Sequence, residues 1–584
     1  MSMSGIRRCP VFFAGIGHVQ KIFTAEYSHS PSMTPEALAS VYDDDDDDGP
    51  VEPPPADAAR GKGVLVVSTH LEYPAIPNAT AHDGFVVMVH VKAPTLVAPA
   101  GRPSLDLVAV LDAGASMEGA KLEQVKRAME FVVDRLGPRD RLSVVAFSGD
   151  NARRVTRLTR MSEDGKAEAK RAVDSLVAAD SGTGSANVRG GLDEAAKVLH
   201  GSRHRRHDDD SAAVILLSDG QGFETSGGGD YSALVPPYLT RDGSYSRSPA
   251  TSGTFSFAES PAAIHDALAQ CVGGLLSVAA KGVYIHVDWY PSCVRVRAVK
   301  SGRHYQTRFD NPRSRGDWEI WECRESGISA DDLYADEERR FLIVMDIDRA
   351  DGADIVANRL MKLRCTYLDT ATGQEVNLPH LEELEVMRPL DAADMAPSVA
   401  VKREIVRVEA AEDMALARAA AERGDHAEAA RILDARREAV GRSAPGMAGD
   451  AACVALAAEL RELSLRLADE REEYRRAGSA CLLAAGSAHA QQRGSSVWLP
   501  RPSPSGLEQF RCTGSAMFAT PAMRRMERLS EKLRERQAAP AMVGKGSGGA
   551  TFPPRSRLEA RLAAAAPRIS MLRKYRRLVP LFKR

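Results

Sequence analysis

The stretch LDLVAVLDAGASM, residues 105–117, decides the fold of the central part of this chain. It begins as a largely apolar strand, reaches Asp112, and then enters a loop of small residues. A strand without alternation between apolar and polar positions is typical of a parallel sheet that helices cover on both faces. The stretch therefore predicts an α/β domain with Asp112 at the end of a buried strand.

The sequence that follows repeats this pattern of strands and helices. KLEQVKRAMEFVVDRL (121–136) carries apolar residues at helical spacing, and LSVVAF (142–147) and AVILLSDG (213–220) read as two more buried strands. Such alternation predicts a Rossmann-like parallel sheet. Because ligands of these sheets bind at the carboxyl ends of the strands, Asp112 and Asp219 are the strongest functional candidates.

Runs with β character flank the α/β region on both sides. Residues 64–73 and 85–94 read as a strand pair before it, and residues 282–390 contain several more strands after it. We expect all of these strands to form one antiparallel β-sandwich, into which the α/β domain is inserted. From about residue 396 the composition predicts a helical region, in which two helices turn at the RGD sequence of residues 423–425.

The composition argues against several functional classes. The 584 residues are 44% hydrophobic and 27% charged, and the net charge of -2 gives no global attraction to nucleic acid or anionic membrane. We find no apolar run long enough for a transmembrane segment and no convincing signal peptide, so we expect an intracellular protein, cytoplasmic or membrane-peripheral. The eight cysteines include no CxxC pair, which argues against a disulfide framework and a zinc site.

Several other polar clusters have two interpretations each. SGTGSANVRGG (181–191) is either a phosphate loop or a loop before a helix, and it lacks the lysine of the former. HGSRHRRHDDD (200–210) is either a metal site or a connecting loop. ADDLYADEER (330–339) is either a calcium loop or an acidic turn before a strand, and it lacks EF-hand spacing. The basic end MLRKYRRLVPLFKR (571–584) is either a lipid or nuclear-import patch or a disordered tail.

Taken in order, these motifs resemble a known family. LDLVAVLDAGASM, DRLSVVAFS and AVILLSDGQG look like core strands of a von Willebrand factor A domain. VKAP, CVGGLLSV, DDLYADEERRFLIVMDI and EEYRRAGSACLLAAGSAHAQQRGSS resemble plant ubiquitin ligases of the WAVY GROWTH type. The resemblance implies a RING finger, an A domain, a β-rich region and a C-terminal helical region.

The RING-like segment departs from that family. GHVQKIFTAEYSHS (17–30) resembles the middle of the RING finger, but Cys9 and His29 are the only ligands left and Tyr27 stands where the family has a cysteine. A structural zinc ion takes four nitrogen or sulfur ligands, so two separated ligands cannot hold one. We expect a RING remnant that binds no zinc, and we do not expect ubiquitin transfer by this chain alone.

The resemblance also implies a magnesium site of the Asp-x-Ser-x-Ser type, completed by a threonine and an aspartate. Asp112, Ser116 and Asp219 fit this pattern, but Gly114 and Ala186 stand where the family has hydroxyl ligands. Two interpretations follow: a residual, weak magnesium site that docks proteins, or loop carboxylates that accept backbone N–H bonds.

A third departure concerns the sheet itself. Residues 222–253 lack the strand and helix that the family has there, so the sheet is expected to close with TFSFAE (254–259) or to leave an edge exposed. The predicted divisions of the chain are a disordered RING remnant and acidic linker (1–60), the first sandwich strands (61–100), a truncated A-like domain (101–281), the remaining sandwich (282–395), a helical region (396–540) and a basic disordered tail (541–584).

These features predict a non-catalytic protein–protein interaction protein. Its expected partners are proteins, including RING-bearing relatives or their substrates, and neither nucleic acid nor a membrane-spanning role is expected. The alternatives are a ubiquitin-ligase component that acts through a RING-bearing partner, and a decayed copy without function.

Overall fold

A computed structural model describes most of the folded part of the chain. The described residues are 11–16, 63–96, 102–149, 151–178, 187–201, 211–219, 254–258, 261–291, 293–302, 324–350, 356–378, 383–390, 396–469, 472–494, 497–503, 506–511 and 517–538. The strands are β1 Val11–Ile16, β2 Val66–Leu71, β3 His82–Lys92, β4 Leu105–Asp112, β5 Arg141–Ser148, β6 Asn151–Arg154, β7 Thr159–Arg160, β8 Ser211–Ser218, β9 Phe255–Ala258, β10 Val278–Trp289, β11 Val294–Lys300, β12 Arg324–Tyr334, β13 Glu338–Ile347, β14 Ala357–Asp369, β15 Gln374–Leu378, β16 Glu383–Met387, β17 Val497–Ser503 and β18 Gly506–Arg511. The helices are α1 Ala120–Arg135, α2 Glu163–Asp174, α3 Val188–Gly201, α4 Pro261–Leu275, α5 Val399–Glu422, α6 His426–Arg442, α7 Ala444–Met447, α8 Ala451–Leu467, α9 Glu472–Gln491 and α10 Pro521–Ala538.

The α/β domain is built on a parallel sheet whose middle is fully buried. Strands β8, β4 and β5 lie side by side and parallel, and every residue of β4 and β8 is buried. Helix α1 packs its apolar stripe into the same core, and α3 approaches so closely that a Cβ on Gly191 would lie 2.9 Å from a methyl carbon of Val110. The predicted parallel sheet with helices is confirmed.

The N-terminal strand corrects the expectation for the sheet edge. The backbone of β1 lies between β8 and β9 and runs parallel to both, so β9 neither reaches β8 nor leaves it exposed. Residues 11–16 are therefore part of the sheet, in contrast to the disorder that we expected throughout residues 1–60. An exposed strand edge has unpaired N–H and C=O groups, and another strand satisfies them wherever it lies in the sequence.

The remaining strands form a two-sheet sandwich. One sheet has the order β11-β13-β3-β2, and the other has the order β12-β10-β14-β15, with β16 also paired to β14. Strand β3 pairs antiparallel with β13, with Val89 opposite Phe341, and both sheets contribute to one buried core. The strand pair before the α/β domain thus completes the sandwich after it, which confirms the predicted insertion.

The helical region packs against the outer face of the sandwich. The two helices expected around the RGD sequence are α5 and α6; Gly424 at the turn has φ +85°, and the side chain of Asp425 caps α6. Val401 and Val408 of α5 contact Val86 and Met88 of β3 in a small apolar cluster.

Two details of this region differ from the expectation. The stretch 452–485, whose composition predicts one further helix, divides into α8 and α9. Strands β17 and β18 form a β-hairpin that extends the α/β sheet beside β9. Among the described residues, no helix combines the length and the apolar character needed to cross a bilayer.

Candidate functional site

The candidate site lies where β4 and β8 end. Asp112 closes β4, and its Oδ1 accepts a hydrogen bond of 2.9 Å from the backbone N–H of Gly114. Ser218, the last residue of β8, donates its hydroxyl to Asp112 Oδ2 over 2.6 Å. Both carboxylate oxygens of Asp112 are therefore engaged by protein donors.

Asp219 at the same edge has a cationic partner that sequence reasoning missed. Lys121, in the first turn of α1, donates from Nζ to Asp219 Oδ2 over 2.7 Å. The side chain of Asp219 is 1% exposed and that of Lys121 is 28% exposed. A cation in the first turn of a helix opposes the helix dipole, and this was the available sequence signal that Lys121 needs another partner. We call Asp112, Lys121, Ser218 and Asp219 the carboxyl edge.

The carboxyl edge is short of positive charge. The pKa of Asp112 is raised to about 6; burial is the largest cause, and the nearby Asp219 also raises the pKa. The hydrogen bonds from Ser218 and Gly114 and the charge of Lys121 act in the opposite direction without cancelling the rise in pKa. A buried carboxylate that takes up a proton more readily than usual is a mark of incomplete charge compensation.

As arranged, this edge does not fit a magnesium ion. Magnesium prefers near-octahedral oxygen ligands, whereas both oxygens of Asp112 already accept hydrogen bonds and Asp219 is paired with an ammonium group. Gly114 supplies no hydroxyl, and a Cβ there would lie 3.1 Å from Asp112 Oδ1. Ser116, the remaining expected ligand, is half-buried in a 3₁₀ turn that spans Ala115–Met117. In this arrangement Asp112 is a loop carboxylate that accepts hydrogen bonds, and the residual magnesium site stays a prediction.

The acidic turn before β13 is held by buried arginines. The side-chain Oε1 of Glu337 accepts from Arg339 at 2.7 Å and from Arg493 Nε at 2.8 Å. The other carboxylate oxygen, Oε2, accepts from the backbone N–H of Tyr334. The guanidinium of Arg493 lies 4.1 Å from the centre of the Tyr334 ring. We call Glu337, Arg339, Arg493 and Tyr334 the Glu337 joint, because Arg493 follows α9 and so ties the helical region to the sandwich.

The Glu337 joint connects two of the motifs that carried the family resemblance, because Glu337 and Arg339 lie in DDLYADEERRFLIVMDI and Arg493 lies in EEYRRAGSACLLAAGSAHAQQRGSS. Burial by itself would raise the pKa of Glu337, but the charges of Arg339 and Arg493 outweigh it and lower the pKa. Asp336 in the turn has a φ angle of 61°, and Asp331, at a register shift of β12 against β10, has a φ angle of 64°. The cluster is an acidic turn before a strand, and across the described residues no three His, Cys, Asp or Glu side chains are grouped to hold a metal ion.

Several predicted features lie outside the described residues. They include Cys9, Tyr27 and His29 of the RING-like segment, Ala186 and the glycine-rich loop before α3, His204 and His207, the segment 222–253, and the basic end of the chain. The expectations for them stay predictions.

Family comparisons identify two segments of the chain. Residues 106–236 match the von Willebrand factor type A domain, and residues 450–532 match a family described as VWA / Hh protein intein-like. The first match covers the strands from β4 to β8 and the carboxyl edge but not β1 or β9, and the second covers most of α8 to α10.

Relatives of the chain come from a plant. It is 30% identical over 330 residues to the E3 ubiquitin-protein ligase WAV3 of Arabidopsis thaliana, covering 54% of this chain and 42% of that protein. It is 27% identical over 406 residues to the E3 ubiquitin-protein ligase WAVH1 of Arabidopsis thaliana, covering 67% of this chain and 53% of that protein. The chain thus spans about half the length of the curated relatives it matches.

A solved structure also aligns with most of the chain. The von Willebrand factor type A protein from Catenulispora acidiphila is 14% identical, with a TM-score of 0.45, over 80% of this chain and 96% of that one.

Proposed function

We propose that this chain, which carries a von Willebrand factor type A domain and is homologous to plant WAVY GROWTH type ubiquitin ligases, binds proteins without transferring ubiquitin itself. The site of binding is the carboxyl edge of the α/β domain. The homology places the chain beside a ubiquitin-ligase family, and domains of this type mediate protein interactions. The partner is a RING-bearing relative or a substrate of one, inside the cell.

The observation that carries this proposal is the contact between Lys121 and Asp219. In place of a bound divalent ion, a lysine on the chain itself supplies positive charge at the end of the sheet. Lys121 is partly exposed while Asp219 is buried, so a partner meets the ammonium first. Binding at this edge then needs no magnesium.

Affinity purification from plant extract tests the binding site. We expect the full chain to retain a defined set of proteins, in buffer with magnesium or with EDTA, and Lys121→Glu to lose it. Lys170→Glu, which reverses a lysine on α2 that is 35% exposed, is the matched control and retains the set. Equal capture by all three chains would contradict the assignment of the edge, and loss of capture in EDTA would contradict metal independence.

A thermal melt tests the metal directly. Ligand binding to the folded state raises the melting temperature in proportion to the logarithm of ligand concentration over Kd. We expect millimolar magnesium to leave the melting temperature unchanged. A magnesium-dependent rise that Asp112→Ala abolishes would overturn this part of the proposal.

The homology to E3 ligases keeps a second function open. In that case the chain promotes ubiquitin transfer through a RING-bearing partner. With purified chain, E1 and E2, we expect no autoubiquitination; chain formation without a partner would contradict the non-catalytic proposal, and chain formation only after a RING-bearing relative is added would favour the second function. A non-cooperative melt would favour the decayed copy.

A further inference from the structure

The helical region and the sandwich enclose a cavity that is separate from the carboxyl edge. Its volume is about 340 Å³, and its walls come from β2, β3 and β13 on one side and from α5 and α8 on the other. This volume lies at the lower end of the range for small-molecule sites, and it is too small for a helix or a folded partner. The cavity therefore suits a small molecule.

The floor of the cavity is apolar and closed. Met88 and Leu456 line it and are each 3% exposed, and Cys453 beside them is 2% exposed. Burial raises the pKa of the Cys453 thiol, so this cysteine is a protonated, apolar lining group. Arg407 and Glu404 also line the floor, but they bond to each other at 2.6 Å and leave no net charge there. An apolar ligand body is favoured at this depth.

The rim of the cavity carries two arginines. Arg340 and Arg403 line it with side chains 29% and 47% exposed. In the part of the chain that the structure describes, Arg340 bonds through Nη2 to Glu338, and Arg403 bonds through Nε and Nη2 to Asp450. A guanidinium group carries five N–H donors, so both arginines retain donors for an acceptor in the cavity.

Two histidines, His70 and His90, lie on the same rim. Burial is the largest cause that lowers the pKa of His90, and the positive charge of Arg340 lowers it further. The negative charge of Glu338 and its hydrogen bond act in the opposite direction and do not reverse the shift. His90 is therefore an uncharged neighbour of Arg340 at neutral pH.

We propose that the cavity binds a small amphipathic anion. Its apolar body lies on Met88 and Leu456, and its carboxylate or phosphate head contacts Arg340 and Arg403. Met88 and Arg340 belong to the sandwich, whereas Arg403 and Leu456 belong to α5 and α8 of the helical region. The ligand therefore bridges the sandwich and the helical region and stabilises their association. The site shares no residue with the carboxyl edge, so it stands or falls independently of the proposed function.

Isothermal titration of the full chain with decanoate tests the proposal. We expect one decanoate per chain and a raised melting temperature. Decanamide, which keeps the apolar body without the charge, binds about tenfold more weakly or less, because charge-assisted hydrogen bonds exceed neutral ones. Acetate and inorganic phosphate, which lack the apolar body, do not raise the melting temperature.

Variants place the ligand within the cavity. Arg340→Met and Arg403→Met each weaken decanoate about tenfold and leave decanamide unchanged. Arg403 also contacts Asp450, the N-cap of α8, so its replacement can disturb the fold. A second variant leaves that contact intact: Met517, which lines the cavity and is 36% exposed, is replaced by glutamate. Met517→Glu weakens decanoate binding because it adds a negative charge, while Met517→Gln does not. Arg431→Met, on the exposed face of α6, is the matched control and binds as the unaltered chain does.

Four results would overturn the proposal. They are no binding of decanoate, equal binding of decanoate and decanamide, equal stabilisation by phosphate alone, and unchanged affinity in both arginine variants and in Met517→Glu. If an acidic peptide binds with the same arginine dependence while decanoate does not, the occupant is a protein segment and the small-molecule assignment is wrong.

Discussion

The carboxyl edge and the Glu337 joint each bury a carboxylate, yet the pKa values of these two carboxylates, Asp112 and Glu337, are shifted in opposite directions. The pKa of Asp112 is raised to about 6, whereas that of Glu337 is lowered. Burial raises both; the difference is that two guanidinium groups contact Glu337, while Asp112 has a second carboxylate nearby and no cation in direct contact.

This difference separates a structural site from a site suited to binding. At the joint, Arg493 is 2% exposed and Glu337 is 1% exposed, so the charges are compensated and closed to solvent. At the edge, the partly exposed Lys121 contacts Asp219, and Asp112 stays incompletely compensated. The joint holds two parts of the fold together, and the edge keeps a reachable charge.

Breaking the joint is expected to have the largest effect. Arg493→Met leaves Glu337 buried with one guanidinium, and removal of one partner from a buried ion pair costs about 3–5 kcal/mol. Urea unfolding followed by circular dichroism measures this loss. Arg431→Met, which removes an exposed pair with Glu428, should leave the midpoint unchanged.

The triple variant Glu337→Leu with Arg339→Met and Arg493→Met sharpens the same prediction. Because it removes the carboxylate together with both guanidinium groups that contact it, it should be more stable than Arg493→Met alone. If Arg493→Met has no more effect than the exposed control, the joint does not hold the helical region to the sandwich.

The opposite pKa shifts predict opposite responses to pH. Asp112 binds its proton more tightly in the folded chain, so its contribution to stability is present below about pH 4 and is lost as the pH rises to about 6, by up to about 3 kcal/mol at about 1.4 kcal/mol per pKa unit. The contribution of Glu337 is present above the ordinary glutamate pKa and is lost as the pH falls through its lowered value.

Unfolding measured from pH 4 to pH 6 separates the two sites. Asp112→Asn removes the titrating group at the edge, so the free energy of unfolding of this variant should fall less over that interval than that of the unaltered chain. Parallel curves for the two chains would show that Asp112 has an ordinary pKa.

Loss of the lysine at the edge is expected to have a smaller effect. Lys121→Met removes the ammonium that donates to Asp219, and loss of a hydrogen bond to a charged group costs about 1.5–3 kcal/mol. Lys121→Arg should recover most of the loss in a urea titration. Lys170→Met, which removes an exposed partner of Asp134, serves as the control with a smaller loss. If Lys121→Met behaves like this control, Lys121 does not compensate Asp219.

Local patterns in the sequence were enough for much of the fold. The apolar runs of β4 and β8 predicted a parallel sheet. Because the carboxyl ends of parallel strands lie at the same edge of a sheet, Asp112 and Asp219 were expected at one edge. The runs with β character at β3 and β13 predicted strands of the sandwich, and the RGD turn separated the helices predicted at α5 and α6. Each of these predictions depends on spacing within a short segment.

The partners of the key charges could not be predicted in this way. Lys121 meets Asp219 across 98 positions of sequence, and Arg493 meets Glu337 across 156. The same holds for β1, whose neighbours β8 and β9 are far along the chain.

The sequence by itself determined which segments are strands and helices and which carboxylates end them, because side-chain periodicity fixes which face of a segment is buried. Only the tertiary structure decided what each buried carboxylate contacts. Charge compensation depends on distance in space and on exclusion of water, and neither quantity is encoded in local spacing. For that reason the two buried carboxylates Asp112 and Glu337 have opposite pKa shifts and different roles.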